Sequence, residues 1–194
     1  KLTIFSDYSS DNDSALSANN AVQRNGFMQA DFLKKFKPKV FSENVLLREG
    51  ENYSFEDHQK TLKRLINLNQ FKFINAFFKP SDTTRNSTLD VSLLLTPFPT
   101  RSLQLELGAF SKSNNYVGSE LKLKLLNRNL FHGAERIELN LSTGFEKQIG
   151  GTNVSGSNNN TKTATLDFYT PRLWLPFKLN IEKGNFIPAT KISI

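Results

Sequence analysis

The sequence predicts an α+β module of order strand, helix, helix, strand, strand, followed by long antiparallel strands of the kind that line a membrane barrel. Three observations carry this. A capped amphipathic helix begins at Ser54, two alternating strands follow it, and after residue 100 four stretches place apolar residues, mostly leucine, at every second position.

The first segment, 1–5, sets Leu2 and Ile4 against polar neighbours and reads as a short strand. Residues 7–20 are rich in Ser, Asp and Asn without apolar periodicity and read as a mobile loop. Asp11-Asn12-Asp13 suggests calcium ligation, but the Gly and bidentate Glu of an EF-hand loop are missing. Phe27, Met28, Phe32, Leu33 and Phe36 are spaced for an amphipathic helix that stops before Pro38. Residues 40–47 offer a second short helix or an extended piece, ending in a turn at Gly50.

The main helix follows. Ser54 precedes Asp57 by three residues, so its hydroxyl can accept a free backbone N–H while the carboxylate meets the positive helix end. Phe55, Leu62, Leu65 and Ile66 are expected on the buried side, with Glu56, Lys60, Lys63 and Arg64 elsewhere. Phe71, Phe73 and Phe77 then alternate with Lys72, Ile74, Ala76 and Phe78, and after a polar loop over 80–87 Leu89, Val91, Leu93 and Leu95 alternate with Asp90, Ser92, Leu94 and Thr96.

Beyond Pro99, Leu103, Leu105 and Leu107 alternate with Gln104 and Glu106; Leu121, Leu123 and Leu125 with Lys122 and Lys124; Ile137, Leu139 and Leu141 with Glu138 and Asn140; Ala164, Leu166 and Phe168 with Thr165 and Asp167. Each stretch has about the length of a tilted membrane strand. In an up-and-down arrangement Phe110, Tyr116 and Phe145 fall toward one rim, with the Gly/Ser/Asn-rich loop 150–160, and Phe131, Trp174 and Phe177 toward the other, as interfacial girdles do. The same alternation fits a soluble antiparallel sandwich with one face in its core.

Composition narrows the function. The 194 residues are 38% hydrophobic and 22% charged, which fits one globular domain or two small ones. No apolar run approaches the roughly 20 residues of a spanning helix. The absence of Cys excludes disulfides, thiolate metal sites and Cys nucleophiles. A net charge of +7 is spread along the chain and does not read as a nucleic-acid footprint. His58 and His132 are far apart in sequence, Glu135 and Glu138 point to opposite faces of a strand, and no phosphate loop, nucleophile elbow or dinucleotide turn occurs. The expectation is a protein that is not an enzyme and needs no cofactor or metal.

Five motifs, in order, carry a resemblance: REGENYS at 48–54, KTLKRL at 60–65, FKFINAFF at 71–78, LDVSLLLTPFP at 89–99 and NRNLFHGAERIELNL at 127–141. Together they resemble the last POTRA (polypeptide-transport-associated) domain of the BamA/TamA family of outer-membrane assembly proteins, joined to the first strands of its barrel. The resemblance implies a β-α-α-β-β POTRA domain over 1–98 in the periplasm and the N-terminal part of a transmembrane β-barrel over 99–194, in the outer membrane of a Gram-negative-type bacterium. About five strands of this length fit before Ile194, so a barrel fragment is expected. The family's Arg-Gly-Phe-type loop motif has no counterpart here, and the chain starts at Lys1 without Met, as a processed or partial sequence does.

The implied function is assembly and membrane insertion of outer-membrane proteins. A client-binding edge for β-augmentation is implied at Phe71, Lys72, Phe73, Ile74, Asn75, Ala76, Phe77 and Phe78, and a barrel seam strand at Leu103, Gln104, Leu105, Glu106 and Leu107. Implied partners are unfolded outer-membrane clients, outer-membrane lipid and accessory assembly subunits, with no nucleic acid. Two alternatives stay open: an exporter of the two-partner-secretion type in the same superfamily, and a soluble β-sandwich binding or adhesion module.

Overall fold

A computed structural model describes residues 1–9, 21–24, 26–31, 33–81, 88–149, 158–174 and 188–194. The calcium-like run at 11–13, most of the loops at 7–20, 80–87 and 150–160, and Phe177 lie outside the described residues. The described chain is mostly β-sheet with two helices, and its two five-stranded sheets belong to separate compact units.

The first unit comprises Lys1–Pro99, Asn129–Glu135 and Thr170–Thr190. Its strands are β1 (Leu2–Phe5), β2 (Val22–Arg24), β3 (Phe27–Ala30), β4 (Phe71–Pro80) and β5 (Leu89–Pro97), in the spatial order β2-β3-β1-β5-β4, with α1 (Pro38–Asn44) and α2 (Phe55–Asn67) between β3 and β4. β1 runs parallel to both β3 and β5, whereas β2–β3 and β4–β5 are antiparallel hairpins.

The helix expected over 27–36 is replaced by β3 and an ordered loop. Gly26 takes φ +87°, turning the chain into the β2–β3 hairpin, and the Asp31 carboxylate accepts the amides of Lys35 at 3.0 Å and Phe36 at 2.9 Å. Those donors are therefore unavailable to a helical ladder. Helix formation begins only at Pro38, whose fixed φ suits a first helical position, and α1 buries Val40 and Phe41.

α2 starts as its sequence predicts, with the Ser54 hydroxyl accepting the Asp57 amide at 3.2 Å, and it ends as Asn69 adopts φ 54°. Its buried face differs in detail. Thr61, Leu65 and Leu68 face inward, Phe55 and Ile66 are exposed, and Arg64 is buried with Nη1 donating to the Glu43 carbonyl at 3.1 Å. A guanidinium at a helix-helix contact satisfies the end of α1 while its stem fills space. Leu65, Leu68, Phe41, Val40, Ile4, Leu93 and Leu95 form the main core, and Phe5, Ala30 and Leu94 form a smaller cluster.

The segment Asn129–Glu135 completes this unit. Ala134 is buried in the main core, its carbonyl accepts from Gln70 Nε2 at 3.1 Å, and the Lys37 amide donates to the His132 carbonyl at 2.8 Å. Asn129, His132 and Ala134 all have positive φ, and the Gly133 amide donates to Glu135 Oε2 at 2.9 Å. A Cβ on Gly133 would meet the Glu135 carboxylate, which would have to swing aside and give up that bond.

The second unit comprises Thr100–Arg128, Arg136–Tyr169 and Lys191–Ile194. Its strands β6 (Arg101–Ser111), β7 (Tyr116–Arg128), β8 (Arg136–Gln148), β9 (Asn159–Thr170) and β10 (Thr190–Ser193) form an antiparallel meander ordered β10-β9-β8-β7-β6. The sheet does not close on itself.

Candidate functional site: two open strand edges

β4 ends the first sheet, so one side of its backbone has no strand partner among the described residues. All eight residues expected to bind clients, from Phe71 to Phe78, lie on this strand. Their side chains divide in a way simple alternation does not give. Phe71 pairs with Pro97 and Phe73 with Thr96, so Lys72 is an extra residue forming a bulge. Phe71 therefore points into the core, while Ile74 and Ala76 pack against that core two and four positions after the bulge. Phe73 and Phe77, each 56% exposed, sit on the other face, in register with Thr96 and Ser92. Lys72 Nζ lies 5.1 Å from the Phe73 ring centroid, and with Lys79 it puts charged guards on this edge.

At the upper part of the same strand, Phe78 packs edge-on against Tyr53 and His58, with centroids 5.3 and 5.1 Å away. Tyr53 Oη and His58 Nδ1 are 3.0 Å apart. His58 thus serves a small aromatic cluster on α2, and His132 occupies the β7–β8 turn. The two histidines are not brought together, and no metal-holding group of three His, Cys, Asp or Glu occurs among the described residues. Glu135 binds the backbone of its own turn, whereas Glu138 reaches Lys124 at 2.8 Å, so that carboxylate pair shares no site.

β6 ends the second sheet and carries the five residues expected at a seam, Leu103 to Leu107. Across this sheet the register lines up one apolar face. Leu103, Leu125, Leu139 and Leu166 form one row, and Leu105, Leu123, Leu141 and Ala164 another. Leu103, Leu105 and Leu107 are 66%, 67% and 79% exposed, so among the described residues no layer covers the β6 end of this face. The opposite face is polar and paired: Glu106 faces Lys122, and Glu138 and Asp167 oppose each other but are met by Lys124 at 2.8 Å and Lys191 at 3.2 Å.

The register sets Phe110, Tyr116 and Phe145 at one end of the sheet, as the girdle reading has it, but not on one face. Phe145 shares the leucine face, but Phe110 and Tyr116 fall on the polar face with Glu106 and Lys122. The Phe110 ring covers Gly118, where a Cβ would lie 2.6 Å from it. Phe131 and Trp174 are exposed and belong to the first unit. The turn Asn129–Glu135 was legible in sequence only as a hairpin end. Its signal was a run of Asn, His and Gly, residues that accept unusual backbone angles or allow close approach.

No known protein family matches the sequence, and no curated protein does. Among solved structures, the crystal structure of BamA from Haemophilus ducreyi lacking POTRA domains 1-3 aligns with 75% of this chain at 10% identity and a TM-score of 0.38, over 34% of its own length. The chain spans about a third of that protein, and at this score the likeness to BamA is weak and carries no argument about function.

Proposed function

We propose that this chain is part of an outer-membrane protein assembly factor of the BamA/TamA type, with the first unit a POTRA domain in the periplasm and the second unit one wall of a membrane barrel. The observation that carries the reading is that each sheet ends in an open edge strand adjoining exposed apolar side chains: Phe73 and Phe77 beside β4, and Leu103, Leu105 and Leu107 on β6. An unfolded β-strand client needs both things at once, backbone partners and cover for its apolar residues. Main-chain pairing at an edge tolerates many sequences, as a general assembly factor requires. In lipid an unpaired amide costs several kcal/mol, so pairing along β6 would drive insertion without nucleotide or cofactor. Its partners would be unfolded outer-membrane clients, lipid and accessory assembly subunits, and it would perform no covalent chemistry.

The test is a titration of the full chain, in a lipid or detergent environment, with an extended peptide taken from an outer-membrane strand. Backbone amide shifts are expected to concentrate on β4. Shifts confined to residues 7–9 and 21–24, with β4 silent, would reject the edge as the client site.

A further inference from the structure

We propose that β4 is a self-association edge: two copies of this chain pair antiparallel along it, about a two-fold axis at Asn75, and join their first sheets into one continuous sheet. β4 ends its sheet with no strand partner among the described residues. In such an isologous pair, residues equally far from Asn75 on the two strands face each other. The axis stands perpendicular to the sheet, so opposed residues come from the same face of both copies. The strand's pattern is symmetric about that point. Phe73 and Phe77, each 56% exposed, lie two positions either side of Asn75 on the outward face. Phe73 therefore meets the second copy's Phe77, and the two-fold repeats the contact, giving two cross-strand aromatic pairs. On the other face Ile74 meets the second copy's Ala76, and both already pack against the core of their own unit.

Asn75 meets itself. Asn is depleted in strands, and this one is exposed, with no side-chain hydrogen bond among the described residues. At the axis its amide N–H donates to the second copy's amide oxygen and receives the same bond in return, which fixes the register as a single buried Asn does in a coiled coil. The charges agree with this register. Lys72 comes opposite the second copy's Phe78, so neither Lys72 nor Lys79 opposes a like charge. Moving the axis by one residue, to Ile74 or Ala76, sets Phe73 against Asn75 or Lys79 and breaks both aromatic pairs. With lysines toward its two ends and none over 73–77, the strand leaves a short apolar window. A two-fold pair fills that window and then offers no β4 edge to a third copy, whereas open pairing would lead on to aggregation. The pairing does not rest on client capture, although both use one edge, so self-association would limit access to it.

The chain contains no Cys, so single introduced thiols report the pairing by disulfide formation. Opposed residues of an antiparallel pair have Cα atoms about 4.5–5.5 Å apart, within disulfide reach, whereas Phe73 lies about 13 Å along the strand from the second copy's Phe73. For the full chain in detergent at ~10 µM, Asn75→Cys should oxidise to a linked dimer about a hundredfold faster than Lys63→Cys on the exposed side of α2, because pairing holds the thiols at an effective concentration of order millimolar. Phe73→Cys and Phe77→Cys should each link slowly alone and rapidly when mixed. Amide protection of Leu93 and Leu95 checks that each variant is folded. Equal rates for Asn75→Cys and Lys63→Cys, self-linking of Phe73→Cys as fast as that of Asn75→Cys, or a wild-type chain that sediments as a monomer at every concentration would overturn the pairing. An excess of the outer-membrane strand peptide separates the two readings. Linking at Asn75→Cys that the peptide leaves untouched keeps the dimer and rejects β4 as the client site, whereas peptide-induced shifts on β4 with no preferential linking reject the dimer alone.

Discussion

The two units use the same two-residue alternation for opposite ends. In the first, Leu93 and Leu95 of β5 are fully buried in a core shared with Val40 and Phe41 of α1 and Leu65 of α2, and the unit meets its apolar needs within itself. In the second, leucines in equally regular alternation form rows that face outward, while the charged side chains opposite them are paired with one another. Alternation therefore reports only that a strand has two unlike faces. What decides the environment of each face is the presence of a covering layer, and the first unit has one because two helices precede β4.

This contrast breaks most sharply in a pair of leucine substitutions. Leu93→Ala in the first core should cost about 2–5 kcal/mol, with no dependence on the bilayer, since the cavity opens inside protein. Leu123→Arg on the leucine face should cost about 2–4 kcal/mol in lipid, and more or less as hydrocarbon thickness changes, while Lys122→Gln on the polar face costs much less. Denaturant unfolding in bilayers of different acyl length measures all three. If Leu123→Arg proved as harmless as Lys122→Gln, or ignored the lipid, the membrane wall would have to be abandoned.

A smaller effect sharpens the comparison inside the second unit. Gly118→Ala would place a Cβ 2.6 Å from both the Phe110 ring and the Phe145 carbonyl. Backbone must yield there, so a loss of about 1–3 kcal/mol is expected, recorded as weakened exchange protection in β7 and β8 with the first unit unaffected. Uniform loss across both units would show them to unfold as one.

The smallest effect lies on the outer face of α2. Lys60 Nζ hydrogen-bonds Glu56 at 2.7 Å, and that bond with its positive charge holds the Glu56 carboxyl below the ordinary glutamate value. A depressed folded value means the stabilisation is present above the unfolded pKa of about 4.3 and is lost as pH falls through the folded one. Carboxyl shifts followed against pH should return to the ordinary value in Lys60→Gln, with a barely measurable change in melting, because the pair is exposed.

Where local chemistry decides, the sequence was readable. The Ser54 cap, the main helix and the strands from β4 through β9 follow from spacing alone. Misreadings arose where long-range bonds outweigh local pattern. Phe27, Met28, Phe32, Leu33 and Phe36 have helical spacing, yet Asp31 and Gln29 fix the backbone after β3 in a form no periodicity encodes. Arg64 looks like a solvent residue until Glu43, twenty-one positions earlier, presents its carbonyl. The role of Ala134 depends on Gln70, sixty-four positions away. Of the candidate site, the edge position of β4 came from the resemblance, and the choice of Phe73 and Phe77 as its exposed pair came from the structure.

The extra residue at Lys72 acts as a phase shifter. Two faces swap roles at that one position: Phe71 before it and Ile74 and Ala76 after it all reach the core, although simple alternation would put Phe71 and Ile74 on opposite sides. Deleting Lys72 would therefore turn away from the core either Phe71 or the pair Ile74 and Ala76, the second case bringing Phe73 and Phe77 toward it.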